Sequence, residues 1–405
     1  MSRPFIVRRH RRDRRGVALL LSLYALIVLG ATITAAFMVV RFDRSASSSS
    51  TTAADAQNAA ESGLADVYAT WDPTVQGALA LWTPSTPTLW SGGTRTLQNG
   101  KLYYVPTVKR INSQLFLVEV TGWRGSSSTR LSQLSLAQWF RLVKPTIGVN
   151  AAVTVNDPIK FNGNAFSVSG FNSLPAEWNA GECPALDAGN SDDVVGIRSA
   201  TGTGVAIQDF DNVFGFPARD APNDPTVTST TFTNFVDYTF TTLGSQPGVK
   251  ILPNSTPYNG VGPVLDASTG TCDRTVLLNF GEPYRASATV PECEAYFPVV
   301  HGTGAQTKFA SGSRGQGTLL IDGDLELVGG FEWTGLIIVR NQIKITGNGN
   351  KISGAVLAAG ADVATTNGSV GGNVDINYSA CAISKAVSGA SLARPLSQHS
   401  WAQAY

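Results

Sequence analysis

From Val17 to Val40 the chain carries no charged residue, and residues 1–15 ahead of that run hold seven arginines (Arg3, Arg8, Arg9, Arg11, Arg12, Arg14 and Arg15). At ~1.5 Å of rise per residue, a helix of that length spans the ~30 Å hydrocarbon core of a bilayer. Clustered arginines stay on the cytoplasmic side, so the pattern predicts that the chain beyond Arg41 is exported. An ordinary secretory signal is a poor fit. The apolar run exceeds the about 7–15 residues of a signal-peptide core, and no A-x-A-like cleavage site ends it. A glycine, Gly16, stands at the basic/apolar junction instead.

The chain has 405 residues, too many for one small domain. Seven arginines against Asp13 give residues 1–16 a charge of +6; the whole chain is +1, which leaves −5 beyond Gly16. With no basic stripe after the leader, nucleic acid is not expected as a partner. Only 15% of residues are charged, and Gly, Ser, Thr and Asn are abundant, the mix of a β-rich, loop-rich exported protein. The four cysteines, Cys183, Cys272, Cys293 and Cys381, all lie on the exported side, where disulfides persist. Of the three possible pairings, the expected one joins Cys272 to Cys293 across a local loop and Cys183 to Cys381 across distant segments. A metal site is the rival reading. It lacks a C-x-x-C spacing, and the only histidines are His10, His301 and His399.

After a serine-rich stretch to Ser50, apolar residues return at Ala53, Ala56, Ala60, Leu64, Val67 and Trp71, one face of a helix that Asp72-Pro73 ends. Gly63 interrupts that face. Three runs rich in β-branched and aromatic residues follow, Leu102–Val108, Gln114–Thr121 and Leu131–Val143, and read as an antiparallel meander.

Composition shifts at Pro145, and the chain then repeats itself. Leu319–Gly329 matches Ile337–Gly347 at an offset of 18, apolar residue for apolar residue and turn residue for turn residue. Trp333–Ile337 matches Ile352–Val356 at 19. A third copy lies far upstream, where Pro158–Asn164 and Val168-Ser169-Gly170 match Gln342–Asn348 and Ile352-Ser353-Gly354 at one common offset. Short strands at this period, punctuated by Gly, Asn and Asp, predict β-solenoid rungs that bury their apolar faces by stacking. Leu319, Ile321, Leu325, Leu327, Ile337, Val339, Ile343 and Ile345 are the inward candidates. Leu320, Ile338 and Val356 face a second layer, and Val374–Tyr378 supplies a last strand. Residues 171–316 interrupt the repeat with a long, loop-rich segment that carries three of the cysteines.

No catalytic motif is present: neither G-x-S-x-G, H-E-x-x-H, a P-loop nor a dinucleotide fingerprint. Asp322, Asp324, Glu326 and Glu332 are the carboxylates a solenoid carbohydrate-active enzyme would use, but such residues also serve as turn formers and solvated faces. Asp192-Asp193 and Asp322-x-Asp324 are weak calcium candidates without a full loop of oxygen ligands. Trp178 and Trp333 are either sugar-contacting aromatics or rung packing. No cofactor is expected.

Arg14-Arg15-Gly16-Val17-Ala18-Leu19-Leu20-Leu21 resembles the class III leader of type IV pilin-like proteins, and is most similar to PilX-type minor pilins, with GspK-type minor pseudopilins as near relatives. Ala59–Leu64 is similar to the alanine-rich segment after the PilX membrane helix. Cys272 and Cys293–Pro298, with Gly315–Leu325, resemble a C-terminal module of PilX-like proteins. The resemblance implies cleavage between Gly16 and Val17 by a prepilin peptidase and packing of the apolar helix with other pilin or pseudopilin subunits. It also implies that Leu21, fifth after Gly16, stands where major pilins carry a glutamate, a departure found in filament-tip subunits. The expected fold class is α+β. The chain divides into a basic leader (1–16), a transmembrane helix (17–40), its continuation (41–72) and a small antiparallel pilin-like head (73–144). A solenoid-like domain (145–170 and 317–382), a disulfide-containing insertion (171–316) and a C-terminal tail (383–405) complete it. The implied function is a non-enzymatic minor subunit that initiates, caps or decorates a pilus or secretion-like filament, starting from the bacterial inner membrane. What the head binds, adhesion included, stays open. So do two rival readings, an uncleaved membrane-anchored solenoid binding module outside any filament and an anchored carbohydrate-active enzyme.

Overall fold

The computed structural model describes residues 15–73, 75–77, 79–85, 88–156, 159–162, 166–183, 192–200, 205–207, 210–253, 257–364, 374–396 and 401–404. The leader arginines before Arg15 lie outside the described residues. A single helix, α1 (Arg15–Ala69), holds 55 residues, about 80 Å at the rise of an α-helix. The serine-rich stretch does not break it. Ser and Thr hydroxyls along the helix donate to carbonyls one turn back, as Thr51 does to Ser47 O at 2.9 Å, so the backbone ladder continues through them.

The second half of α1 packs on an antiparallel sheet. Its strands are β1 (Leu89–Ser91), β2 (Arg95–Leu97), β3 (Leu102–Arg110), β4 (Leu115–Gly125) and β5 (Arg130–Val143). Strand β4 pairs with β3 on one side and β5 on the other. Ala56, Ala60 and Val67 are buried against it, and Trp71 meets Phe116 edge-on with ring centroids 5.0 Å apart. Ala53 is exposed, one turn before the helix reaches the sheet. The contact is close because Gly122 has no side chain. A Cβ there would lie 2.4 Å from Ala60 N and 2.5 Å from Ala56 O. Gly63 lies in the same seam, where a Cβ would meet Val120 Cγ1 at 2.5 Å, so it serves packing rather than weakening the helix.

The rest is mainly parallel β. The strands are β6 (Ala151–Val155), β7 (Ile159–Asn162), β8 (Phe166–Ser169), β9 (Val195–Ser199), β10 (Val205–Ile207), β11 (Val213–Phe214) and β12 (Asp220–Ala221). A hairpin of β13 (Asn234–Phe235) and β14 (Tyr238–Thr239) leads into the short helix α2 (Phe240–Gly244) and β15 (Lys250–Leu252). A second hairpin, β16 (Leu265–Asp266) and β17 (Thr271–Cys272), precedes β18 (Val299–Gly302) and β19 (Gln306–Phe309). Then come β20 (Arg314–Ile321), β21 (Asp324–Val328), β22 (Glu332–Thr346), β23 (Asn350–Ala364) and β24 (Val374–Tyr378). Apart from the two hairpins, these strands form one 15-stranded sheet. Leu319 pairs with Ile337 and Leu325 with Ile343, an offset of 18; Trp333 pairs with Ile352, an offset of 19. The third sequence copy joins the same rows. Val168 pairs with Ile376, which pairs with Ile352. Segment 171–316, read as an insertion, supplies β9–β12 beside β6–β8, β15 and β18 next to β20, and β19 next to β21.

Leu319–Ile321 and Leu336–Val339 are buried at every position, as expected for parallel strands covered on both faces. Leu320, Ile338 and Val356, placed in a second layer, lie in the same continuous core as the inward set. Charges also align across the strands. Lys308, Glu326 and Lys344 follow one another in register, alternating in sign, and Lys308 Nζ donates to Glu326 Oε1 at 2.9 Å.

After β24, helix α3 (Ala380–Gly389) lies against β20, β22 and β23. The chain then returns to the head. Strand β25 (Leu392–Pro395) and strand β26 (Trp401–Ala404) both pair antiparallel with β5, so segment 383–405 completes the first sheet.

Candidate functional site

The most distinctive surface is the first half of α1. Leu19–Val40 carries large apolar side chains that face outward all round, with none of the run buried against the rest of the protein. Leu21, at the position the resemblance singles out, is 64% exposed. The serine and threonine hydroxyls in the run are satisfied within the helix. Ser22 Oγ donates to Leu19 O at 2.9 Å, Thr32 Oγ1 to Leu29 O at 2.9 Å and Thr34 Oγ1 to Gly30 O at 2.8 Å. A helix whose backbone and small hydroxyls are satisfied internally, with apolar side chains outward, suits a lipid core or a bundle of apolar helices. Gly16 and Val17 belong to the first turns of this helix.

Ion pairs fix the other half of α1. Asp55 pairs with Arg124 and Asp66 with Arg95, so the helix is clamped at two points along the sheet. Burial, then the Asp66 carboxylate, pushes the Tyr104 hydroxyl up beside that clamp. Just past the helix, Asp72 pairs with Arg274 of the parallel domain, whose guanidinium stacks over Tyr296 at 5.0 Å.

Asp193, Asp322, Asp324, Glu326 and Glu332, among the carboxylates singled out as enzymatic or calcium candidates, have protein partners. Asp322 Oδ2 lies 3.2 Å from His301 Nε2, and its Oδ1 accepts from Arg340 Nη1 at 3.3 Å. Asp324 Oδ1 accepts from Asn341 Nδ2 at 2.6 Å and from Gln342 N at 3.2 Å. Glu326 and Glu332 pair with Lys308 and Lys351. Asp193 Oδ1 accepts from Asn172 N at 2.8 Å. Among the described residues no three His, Cys, Asp or Glu side chains gather as a metal site requires.

Cys183 is bonded to Cys381, which ties the segment after β8 to the start of α3, and Cys272 is bonded to Cys293. Trp178 and Trp333 face no ligand surface. They are 7% and 1% exposed, and Trp178 Nε1 donates to Pro283 O at 2.8 Å under the Arg285 guanidinium.

Spacing alone did not reveal a cleft of about 390 Å³ where the end of α1, the Gln246–Val249 turn, the Tyr296–Val299 segment and the chain after α3 meet. Trp71 and Gln246 on its wall come from opposite sides of the first sheet's sequence, far apart in the chain, so no local period marks it.

No protein-family model and no curated protein matches the chain. Among solved structures, the competence-associated pilin ComZ from Thermus thermophilus aligns over 87% of this chain and 98% of its own, at 13% identity and a TM-score of 0.22. At that score the likeness carries no argument about fold or role.

Proposed function

We propose that this chain is a non-enzymatic minor subunit of a type IV pilus or type II secretion-like filament, of the PilX or GspK kind, that begins in the inner membrane. The observation that carries the reading is α1. One continuous helix is bare and apolar over its first half and clamped to an antiparallel sheet over its second. The bare half needs an apolar medium, which the bilayer supplies before assembly and the helices of neighbouring subunits supply afterwards. Gly16–Val17 is then the cleavage point of a prepilin peptidase, and the seven arginines keep residues 1–16 in the cytoplasm.

A position at the filament end is favoured by two features. Leu21 offers no carboxylate to a neighbour's amino terminus. The chain is 405 residues long, and a head of that size tied by two disulfides would be bulky in every layer of a shaft. The 18- and 19-residue offsets of the parallel ladders support reading that domain as stacked rungs of a β-solenoid. Shearing filaments from cells that make a tagged version of the chain tests membership. Recovery with the filaments, below the amount of the main subunit, is expected. Complete retention in the membrane fraction of a filament-making cell would favour the anchored binding module instead.

A further inference from the structure

Segment 144–150 leaves β5, runs to β6 and pairs with no strand among the described residues. Its burial nevertheless alternates. Pro145 is buried, Ile147 and Val149 are half-buried against the core of the parallel domain, and Lys144, Thr146, Gly148 and Asn150 are exposed. That period of two belongs to extended backbone with one face on a core. Among the described residues, no backbone group of residues 146–149 makes a hydrogen bond. The segment is strand-like chain whose donors and acceptors are left to solvent, the template that an added strand uses.

The same segment lines a cavity of about 540 Å³, together with Ile383, Ser384 and Val387 of α3. Lys144 Nζ lies 3.5 Å from Ser384 Oγ, so linker and helix face each other there. Cations gather at the β5 end. Arg141 and Lys144 both line the cavity, and Arg141 stands directly opposite Arg394 in the register of β5 with β25. Like charges in that position destabilise a strand pair, and an anion beside them offsets the cost. None of the three cations has an ion-pair partner among the described residues. Asp237 is the one carboxylate on the wall, and it pairs with none of them.

We propose that this cavity binds an extended acidic segment of a partner protein, which adds to residues 146–149 as a β-strand and sets a carboxylate beside Arg141, Lys144 and Arg394. Backbone pairing supplies affinity at such a site, and side-chain contacts supply choice. Ile383 and Val387 line the same cavity, so apolar residues alternating with acidic ones complete the fit. Neither Gly16 nor the apolar half of α1 enters the argument, so the site stands or falls apart from filament membership.

The test uses the full chain in detergent micelles and three capped hexapeptides, in which valine alternates with glutamate, with serine or with lysine. Hydrogen exchange read by mass spectrometry follows the backbone amides of residues 146–149. In the free protein they are expected to exchange without protection. The valine–glutamate peptide is expected to protect them saturably by millimolar concentration, the valine–serine peptide to bind about tenfold more weakly, and the valine–lysine peptide to leave them unprotected. Lys144→Glu and Arg141→Glu, both at exposed side chains, are each expected to weaken the valine–glutamate peptide about tenfold. Exchange in the parent protein needs no variant, so the test survives a variant that fails to fold. The proposal is overturned if the amides are already protected in the free protein, if no peptide protects them, or if the three peptides act alike. Equal binding by the parent and both variants also overturns it. So does protection that rises with protein concentration in the absence of peptide, which would give the cavity to a second copy of the chain.

Discussion

Gly335 and Gly354 are register partners on neighbouring parallel strands, and both hold left-handed backbone, with φ of +134° and +143°. Gly317, the partner of Gly335 on its other side, has φ of +110°. The three make a column in which the backbones approach too closely for side chains. A Cβ on Gly335 would lie 2.2 Å from Gly317 O and 3.0 Å from Ala386 Cβ of α3.

Gly335→Ala should therefore cost both backbone strain and packing, about 3 kcal/mol or more. Thermal unfolding followed by circular dichroism checks it. A variant that melts within a degree or two of the parent would mean that the column has room the structure does not provide.

The row of alternating charges supplies a second test. Glu326 stands between Lys308 and Lys344 on adjacent strands. Glu326→Lys puts like charges in register and should destabilise by about 1 kcal/mol, more than Glu326→Gln does. Screening weakens repulsion between exposed charges, so the gap between the two variants should shrink in high salt. Equal melting temperatures for both variants in low salt would show that the row does not help set register.

Acid should weaken the parallel domain through Asp224. Hydrogen bonds from Arg198 and from Thr226 hold this carboxyl well below the usual carboxylate range. A depressed carboxylate pKa contributes stability that is fully present above the unfolded value of about 4 and is lost as pH falls below it toward the folded value. The melting temperature of the parent should fall faster than that of Asp224→Asn as pH drops below about 4. Parallel curves for the two proteins would contradict the assignment.

The two disulfides should differ in weight. Cys272–Cys293 closes 21 residues and Cys183–Cys381 closes 198. Chain entropy alone makes these worth about 3 and roughly 5 kcal/mol. Replacing both cysteines of the longer bridge by serine should lower the midpoint of denaturant unfolding more than the same change in the shorter one.

Much of this fold was legible because register and repeat are the same fact. Leu319 matches Ile337 in the sequence because the two sit side by side in a ladder and need the same kind of side chain. The third copy was legible despite its distance along the chain because Val168 and Ile352 flank the same strand, β24. What lay hidden has no period. Strands β11 and β12 are two residues long, too short for a pattern to announce that this part of the chain extends the sheet. The return of β25 to β5 pairs Leu392 with Val143, two residues with the whole parallel domain between them, which no local pattern reports. The helix stripe was readable from Ala56 to Trp71, but Ala53 falls before the sheet begins and is exposed. Of the two roles the sequence leaves to Trp178 and Trp333, the fold gives them packing. The aromatic that does line a cleft, Trp71, reads as the end of a helix stripe.

The most direct test of the central claim is the N-terminus of the protein taken from its native membranes, read by mass spectrometry with and without an active prepilin peptidase. The account predicts a start at Val17 that disappears when the peptidase is absent. A start at Met1 or Ser2 in both preparations would contradict it, leaving α1 as a plain membrane anchor for the domains beyond.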